Sequence, residues 1–373
     1  MHVKDRSRMK KLAPMAATVA ILMAASCGHP GTTPTTTTGQ TAGPLTSAPL
    51  DAGLVTPTFG YVVTADQVVL TTDGGASFHA VKTGLPTGLH RAAFFSDAQH
   101  GWVASTAGQT ISIARTADGG STWQDTTHVL PNQLTSVDVS FNGTTRGAVM
   151  ARTQTGGSFS KATVLSTSDG GATWTLNTAP VAGTVSVDVD GRIWLAGVLG
   201  GPLFFSTDQA KSWTKPALNL PPGAIVDAVV PPREGVLPVT LTEGGASRVA
   251  LLRSGDGGAN WQEAASLALS RQESESPPLS VLGQEVILVD RVSGKVIHRM
   301  AQTGAATDTR AGTELPAGVG KISFANTNTG WALATSFACT NGKQGCTLIT
   351  SVASTSDGGT TWRQVLSWAD KIG

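Results

Sequence analysis

The sequence predicts an all-β fold, a seven-bladed β-propeller of four-stranded blades. Three observations favour it: a turn phrase occurs six times, the copies are spaced by about one blade length, and short alternating runs replace long amphipathic helices. The phrase reads Ser/Thr-x-Asp-x-Gly-x-x-Trp/Phe in five of its six copies. Its aspartates are Asp73, Asp118, Asp169, Asp208, Asp256 and Asp357.

The spacing of the aspartates gives the number of blades. Four successive intervals run from 39 to 51 residues, and the last, from Asp256 to Asp357, is 101 residues. A propeller blade takes about 40 to 50 residues, so the long interval holds two blades, one of which has lost the phrase. Seven blades within residues 51–373 average about 46 residues each.

Each blade is expected to run from an inner strand A to an outer strand D. In blade 2, "RAAFFS", "GWVAST", "ISIART" and "TWQDTT" read as strands A to D, which places the phrase at the C-to-D turn. The same template predicts blades at 51–82, 89–127, 134–178, 183–216, 223–265, 278–311 and 318–368.

The repeated phrase has the composition of a structural turn. Asp and Ser/Thr side chains accept backbone N–H bonds, Gly-Gly supplies positive φ, and the aromatic residue starts the next strand. Ala210 replaces the second glycine of the fourth copy, and its Cβ predicts the most irregular of the six turns. A metal or catalytic array is disfavoured because the aspartates belong to separate repeats, and no cofactor is expected.

The phrase resembles the Asp-box, or BNR, repeat of sialidase-like β-propellers, and the likeness covers the chain after residue 50. Two stretches, "FFSDAQHGWVAS" (94–105) and "SFANTNTGWALATS" (323–336), look like the photosystem II assembly factors of that group. The resemblance implies a propeller whose boxes lie away from the ligand site. It does not imply one activity, because the fold hosts sialidases, polysaccharide hydrolases, receptors and assembly factors.

The N-terminus has the layout of an export signal. Residues 1–26 combine a basic segment with the apolar run "LAPMAATVAILMAAS", and "AASC" resembles the lipobox in which Cys27 is lipidated. The alternative is an ordinary cleavage site with an incidental cysteine. Residues 28–50 carry no Asp, Glu, Lys or Arg, and with Cys27 they form a predicted disordered tether before the propeller at 51–373.

Composition narrows the location and the partners. Cleavage before Cys27 leaves 21 Lys and Arg against 24 Asp and Glu, a formal charge of −3. Nucleic acid and broad anionic-membrane binding need basic patches, so neither is expected. The predicted protein is exported, anchored by its lipid on the extracytoplasmic side of the cell membrane, and monomeric.

The two remaining cysteines, Cys339 and Cys346, predict a disulfide in the last blade, with two free thiols as the alternative. They lie between strands B and C, so their loop shares a face with the D-to-A connections, opposite the boxes. Candidate binding segments on that face are 153–161 and 266–279, although each taken alone is more typical of a solvated loop. The candidate binding residues are His90, Arg91, Lys161, Arg271 and Lys343.

Two functions follow from these features. The favoured hypothesis is a non-catalytic binding or assembly module that holds an envelope protein, peptide or glycan on the loops opposite the boxes. The alternative is an exo-sialidase or other glycoside hydrolase, which would need a tyrosine nucleophile or a carboxylate pair. The single tyrosine, Tyr61, falls on strand B, away from the channel, and no convincing carboxylate pair stands out.

Overall fold

In the computed structural model, the described residues form seven β-sheets arranged as consecutive blades. The structure describes residues 45–88, 90–153, 161–198, 200–270, 275–283, 285–290, 296–301, 306–310, 314–339 and 345–372. The predicted Arg271 and Lys343 lie outside these residues, as do Cys27 and the signal segment. No helix among the described residues has the length and apolar character needed to cross a bilayer.

The strands of the first four blades run outward from the centre in chain order. Their bounds are β1 Pro49–Leu54, β2 Gly60–Thr64, β3 Val68–Thr71 and β4 His79–Val81; β5 His90–Phe95, β6 Gly101–Ala107, β7 Thr110–Thr116 and β8 Gln124–Val129; β9 Leu134–Asn142, β10 Arg146–Thr153, β11 Lys161–Thr167 and β12 Thr175–Thr178; β13 Gly183–Val187, β14 Ile193–Gly197 and β15 Leu203–Ser206.

The last three blades follow the same plan with one exception. Their bounds are β16 Ala217–Asn219, β17 Ile225–Val229, β18 Val236–Glu243, β19 Ala246–Arg253 and β20 Asn260–Ala268; β21 Leu279–Leu282, β22 Glu285–Val289, β23 Val296–Ala301 and β24 Ala306–Arg310; β25 Val319–Phe324, β26 Gly330–Cys339, β27 Cys346–Thr355 and β28 Arg363–Ile372. The exception is that β16 precedes the inner strand of blade 5 in the chain and lies at the outer edge of its five-stranded sheet. The predicted seven blades are therefore confirmed.

Blade 4 departs from the predicted four strands. Its sheet has three, and the segment after the turn adds only one bridge, between Phe205 and Thr214. Two residues further on, the ladder would need an N–H from position 216, which is a proline and has none. The chain leaves the sheet there, and β16 pairs in parallel with β20 of blade 5.

The core is divided among the seven seams between blades. Each seam has its own buried cluster with residues from both neighbours. The ring closes between blades 7 and 1 in the same way: Ala52 and Val62 of blade 1 pack with Trp331 and Val352 of blade 7. In the described part of the chain, no strand of either blade joins the other's sheet.

Backbone hydrogen bonds define two faces of the ring. The C-to-D turns bond the A-to-B loops of their own blades, as in Gly119 N to Gln99 O, 2.9 Å, and Gly358 N to Asn328 O, 2.8 Å. The D-to-A connections bond the B-to-C turns, as in Leu134 N to Gly108 O, 2.8 Å. We call the first the box face and the second the loop face, and their separation confirms the predicted arrangement.

The six box turns share one hydrogen-bond pattern. In the third, Asp169 Oδ1 accepts the Thr167 hydroxyl at 2.8 Å and the Thr173 N–H at 2.9 Å, and Oδ2 accepts the Thr173 hydroxyl at 2.6 Å. The fourth keeps every bond although Gln209 and Ala210 adopt φ of 62° and 66°. In the other five boxes the glycines at these two positions have φ of 70–76° and 84–96°, so the fourth turn departs most from the common backbone. The prediction that Ala210 marks the most irregular turn is confirmed, although the side-chain bonds are kept.

Candidate functional site

The candidate site is the loop face together with the central channel. The inner strands have an edge without a strand partner, and in β1, β13 and β25 short polar side chains of the preceding blade accept N–H groups of that edge. Asp138 Oδ2 accepts Val185 N–H at 2.9 Å, and Ser323 Oγ accepts Leu54 N–H at 3.1 Å. Polar residues in these strands therefore connect neighbouring blades.

Charged side chains meet inside the channel. Asp51 of β1 forms an ion pair with Lys321 of β25, and 44% of the Lys321 side chain is accessible within the channel. Burial alone would lower the pKa of Lys321, but the Asp51 carboxylate raises it above its usual value. Burial raises the pKa of Asp138, opposed by the bond from Val185 and the charge of Arg233. The channel is therefore a mixed-charge passage.

Sequence reasoning missed these channel residues although a signal was present. "LDAGL", "SVDVS" and "GKISF" each place a charged residue among small or apolar ones in an inner strand. In strands that line a channel, such a residue must find a partner on a neighbouring inner strand or a free backbone group. Asp51, Asp138 and Lys321 each meet this requirement.

Two predicted binding residues lie at the loop-face end of β5 but differ in accessibility. His90 is half-buried, and burial together with the Arg152 charge lowers its pKa. Arg91 is only 5% exposed, and its guanidinium donates to Thr83 Oγ1 at 3.1 Å and to the Thr64 carbonyl at 3.5 Å. Arg91 therefore joins blade 2 to the loop-face end of blade 1.

The remaining predicted residues surround the B-to-C hairpins. Lys161 is exposed at the start of β11 on the loop face. Cys339 and Cys346 form the predicted disulfide, with an S–S distance of 2.07 Å. They are cross-strand neighbours at the end of the β26–β27 hairpin.

The loop face carries most of the exposed large apolar side chains. Among the described residues there are seven, and five lie at this face or its rim: Leu50, Val129, Val198, Ile225 and Phe337. The other two are Leu176 on an outer strand and Val189 in a box-face loop. Sequence reasoning missed the set because single apolar residues at strand ends resemble core positions until the strand bounds are known.

Clefts on the box face are lined by charged groups that already have partners. One of about 280 Å³ lies between blades 2 and 3, where Arg115 donates to Gln124 Oε1 at 2.7 Å and to the Asp169 carbonyl at 3.5 Å. Another of about 340 Å³ lies between blades 3 and 4, where Arg146 donates to the Asp190 carbonyl at 2.8 Å. These arginines connect blades.

The box aspartates are also occupied. Bonds from the Thr122 hydroxyl and N–H, and then from the Thr116 hydroxyl, lower the pKa of Asp118 to about 2. The carboxylate is therefore ionised at neutral pH and acts as an acceptor for its own turn. Within the described ranges, no three His, Cys, Asp or Glu side chains are placed to hold a metal ion.

Comparisons with known proteins bear on the fold. No protein-family model matches the chain, and no curated protein matches it. The chain is similar to YCF48 bound to D1 peptide, at 18% identity over 87% of this chain and 86% of that one, with a TM-score of 0.46. It is similar to U3-55K at 12% identity over 78% of this chain and 89% of that one, with a TM-score of 0.50.

A further similar structure is the uncharacterized protein lmo1340 from Listeria monocytogenes EGD-e, at 10% identity over 79% of this chain and 91% of that one, with a TM-score of 0.50. At these identities the likeness concerns the fold and not the chemistry. By fold, the chain is a seven-bladed β-propeller.

Proposed function

We propose that this propeller is a non-catalytic binding module, tethered to the cell envelope, that holds a partner on its loop face. The observation that carries the proposal is the asymmetry of exposed apolar side chains, five at the loop face and one, Val189, in a box-face loop. Exposed apolar side chains on one face are typical of an interaction surface. On the box face, the arginines of two clefts, Arg115 and Arg146, are already bonded to the neighbouring blade.

The state of Tyr61 supports a binding role over a sialidase role. Its side chain is buried, its hydroxyl donates to the Ala93 carbonyl at 3.0 Å, and burial raises its pKa to about 12. A tyrosine nucleophile needs access to substrate and a base that takes its proton. Tyr61 lacks the access.

One observation favours glycoside hydrolysis as the second candidate. Asp138 has a raised pKa, as a general acid requires, and the Asp51 charge contributes to that shift. However, Asp51 is paired with Lys321, and Asp138 accepts the N–H groups of Val139 and Val185. Hydrolysis of sialosides or β-glucans that is lost in folded Asp138→Asn or Tyr61→Phe would establish the enzyme.

Cross-linking from opposite faces tests the binding proposal. Ile225 on the loop face and Val189 on the box face are 61% and 69% exposed, so they form a matched pair. Each residue is replaced in turn by p-benzoylphenylalanine in the full chain, and cells that express the substituted protein are irradiated. We expect discrete adducts from position 225 and none from position 189. Equal adducts from both positions, or adducts from 189 alone, would contradict the proposal.

A further inference from the structure

Strand β26 has an open edge at the loop face. On one side it pairs with β27 over its whole length, from Gly330 to Cys339. On the other side, β25 pairs with it only as far as Ala334, and Thr335 N–H donates to the Gly318 carbonyl at 3.0 Å. Within the part of the chain that the structure describes, residues 336–339 have no strand beside them on this side.

The alternation of backbone groups shows which are unpaired. Because Thr335 N–H points toward β25, the N–H and C=O groups of Phe337 and Cys339 point the same way, whereas those of Ser336 and Ala338 point to β27. The Cα atoms of Cys339 and Cys346 are 4.0 Å apart, as in a cross-strand pair without mutual hydrogen bonds. The edge therefore presents two donors and two acceptors, with a repeat of about 7 Å.

This edge lacks the features that usually prevent strand addition. The outer strand β28 carries Arg363, Asp370 and Lys371, and charges of this kind protect a sheet edge. Residues 335–339, "TSFAC", have no charge and no proline, and their pairing with β27 is regular. Phe337 is 47% exposed beside the open groups. The inner edge is therefore suited to an added strand.

We propose that the open edge of β26 binds an extended peptide segment of a partner protein, which pairs with Phe337 and Cys339 as a further strand. This inference rests on the proposed function and names the partner class. Alternating N–H and C=O groups at a two-residue repeat match a peptide main chain and not a glycan. The residue opposite Phe337 is apolar, as cross-strand packing favours.

The edge is held in its binding conformation before the peptide arrives. Its strand pairs with β27, which pairs with β28 up to Ile372, and the Cys339–Cys346 bond joins the hairpin. Little ordering is then required on the protein's side, which favours affinity.

Amide exchange of the full chain, followed residue by residue, tests the open edge. We expect fast exchange at Phe337 and Cys339 and slow exchange at Ser336 and Ala338. Slow exchange at all four would overturn the inference, because the edge would already be covered. The native mass would then identify the cover as a second copy or as a segment of this chain.

A probe strand tests addition. Eight alternating valine and threonine residues are joined to the C-terminus of the full chain through a Gly-Ser linker of about 12 residues. The linker spans roughly 20 Å, which exceeds the distance of about 14 Å from β28 across β27 and β26 to an added strand. A probe paired in nine molecules of ten slows exchange at Phe337 and Cys339 about tenfold. A control probe with proline at every second position leaves exchange unchanged. Equal slowing by both probes would overturn the inference.

Two substitutions at position 337 distinguish binding through the main chain from binding through the side chain. Phe337→Pro removes an open donor and no ladder bond, whereas Phe337→Ala keeps the donor. We expect adducts from p-benzoylphenylalanine at position 225 to disappear with proline and remain with alanine. Adducts that persist with proline refute strand addition and leave the binding proposal standing. If the chain that carries p-benzoylphenylalanine at position 225 and keeps Phe337 gives no adducts, the binding proposal is refuted. Amide exchange then still shows whether the edge of β26 is open.

Discussion

The turn of blade 4 shows that side-chain hydrogen bonds can hold residues in a backbone conformation that they disfavour. Gln209 and Ala210 take the positions that glycines occupy in the other five boxes, with φ of 62° and 66°. For a residue with a Cβ, this region costs about 1–2 kcal/mol. The bonds between Ser206, Asp208 and Ser212 are nevertheless complete.

Gln209→Gly should therefore raise the free energy of unfolding. Relief of strain outweighs the added freedom of the unfolded chain, and we expect a gain of roughly 0.5–1 kcal/mol in denaturant unfolding. Thr207→Gly, in the same turn, is the control, because φ at Thr207 is not positive and glycine there should destabilise. A loss of stability in Gln209→Gly would show that the turn is unstrained.

Residue roles were predictable from the sequence where a residue acts within its own turn. The box aspartates could be assigned because their partners lie two and four residues away. Arg91 could not, because its partners Thr83 and Thr64 come from the neighbouring blade. Asp51 and Lys321 are 270 residues apart, and only closure of the ring brings them together.

At the scale of elements, the period-two pattern predicted the strands well, and hydrogen-bond chemistry decided the exceptions. Pro216 ends the ladder of blade 4, a limit that the sequence already contained. Strands β26, β27 and β28 are longer than β25, and this difference was not predictable. The alternation of apolar and polar residues along a strand continues whether or not the inner strand extends beside it. Residues 45–50, assigned to the tether, belong to blade 1: β1 begins at Pro49, and Ser47 donates to Asp66.

The β26–β27 hairpin should depend on its disulfide locally. Replacing both Cys339 and Cys346 by alanine removes the crosslink that closes a short loop. In the chain-entropy model, such a crosslink contributes about 2–3 kcal/mol at most to the free energy of unfolding. We expect faster amide exchange at Ser336 and Ala338 and a fall of the thermal midpoint by a few degrees at most.

Thr347→Ala, on the same hairpin, controls for a small side-chain change without loss of the crosslink. A large fall in the midpoint, with exchange faster in every blade, would instead make the bond a support of the whole ring.

At the scale of the whole molecule, the number of blades and the two faces follow from the spacing of one turn. The identity of the loop-face residues does not, because it depends on where each strand ends. The N-terminal anchor is a prediction that lies outside the described residues.

The anchor prediction is tested by processing. Cys27 should be lipidated, so the exported protein should partition into detergent, and Cys27→Ala should be released or left unprocessed. Cys346→Ala, which keeps the N-terminal signal, serves as the control and should still partition into detergent. Mass spectrometry that finds a mature N-terminus other than Cys27 would disprove the anchor.

The closure between blades 7 and 1 has a consequence for how the polypeptide can be connected. Because each blade is one continuous segment and this seam is held by side chains like the other six, no blade depends on a strand supplied by the opposite end of the chain. A D-to-A connection that contributes no strand, such as the one between blades 2 and 3, is therefore topologically equivalent to the junction between Ile372 and Leu45. A circular permutant that starts at blade 2 or blade 3 would keep every sheet intact.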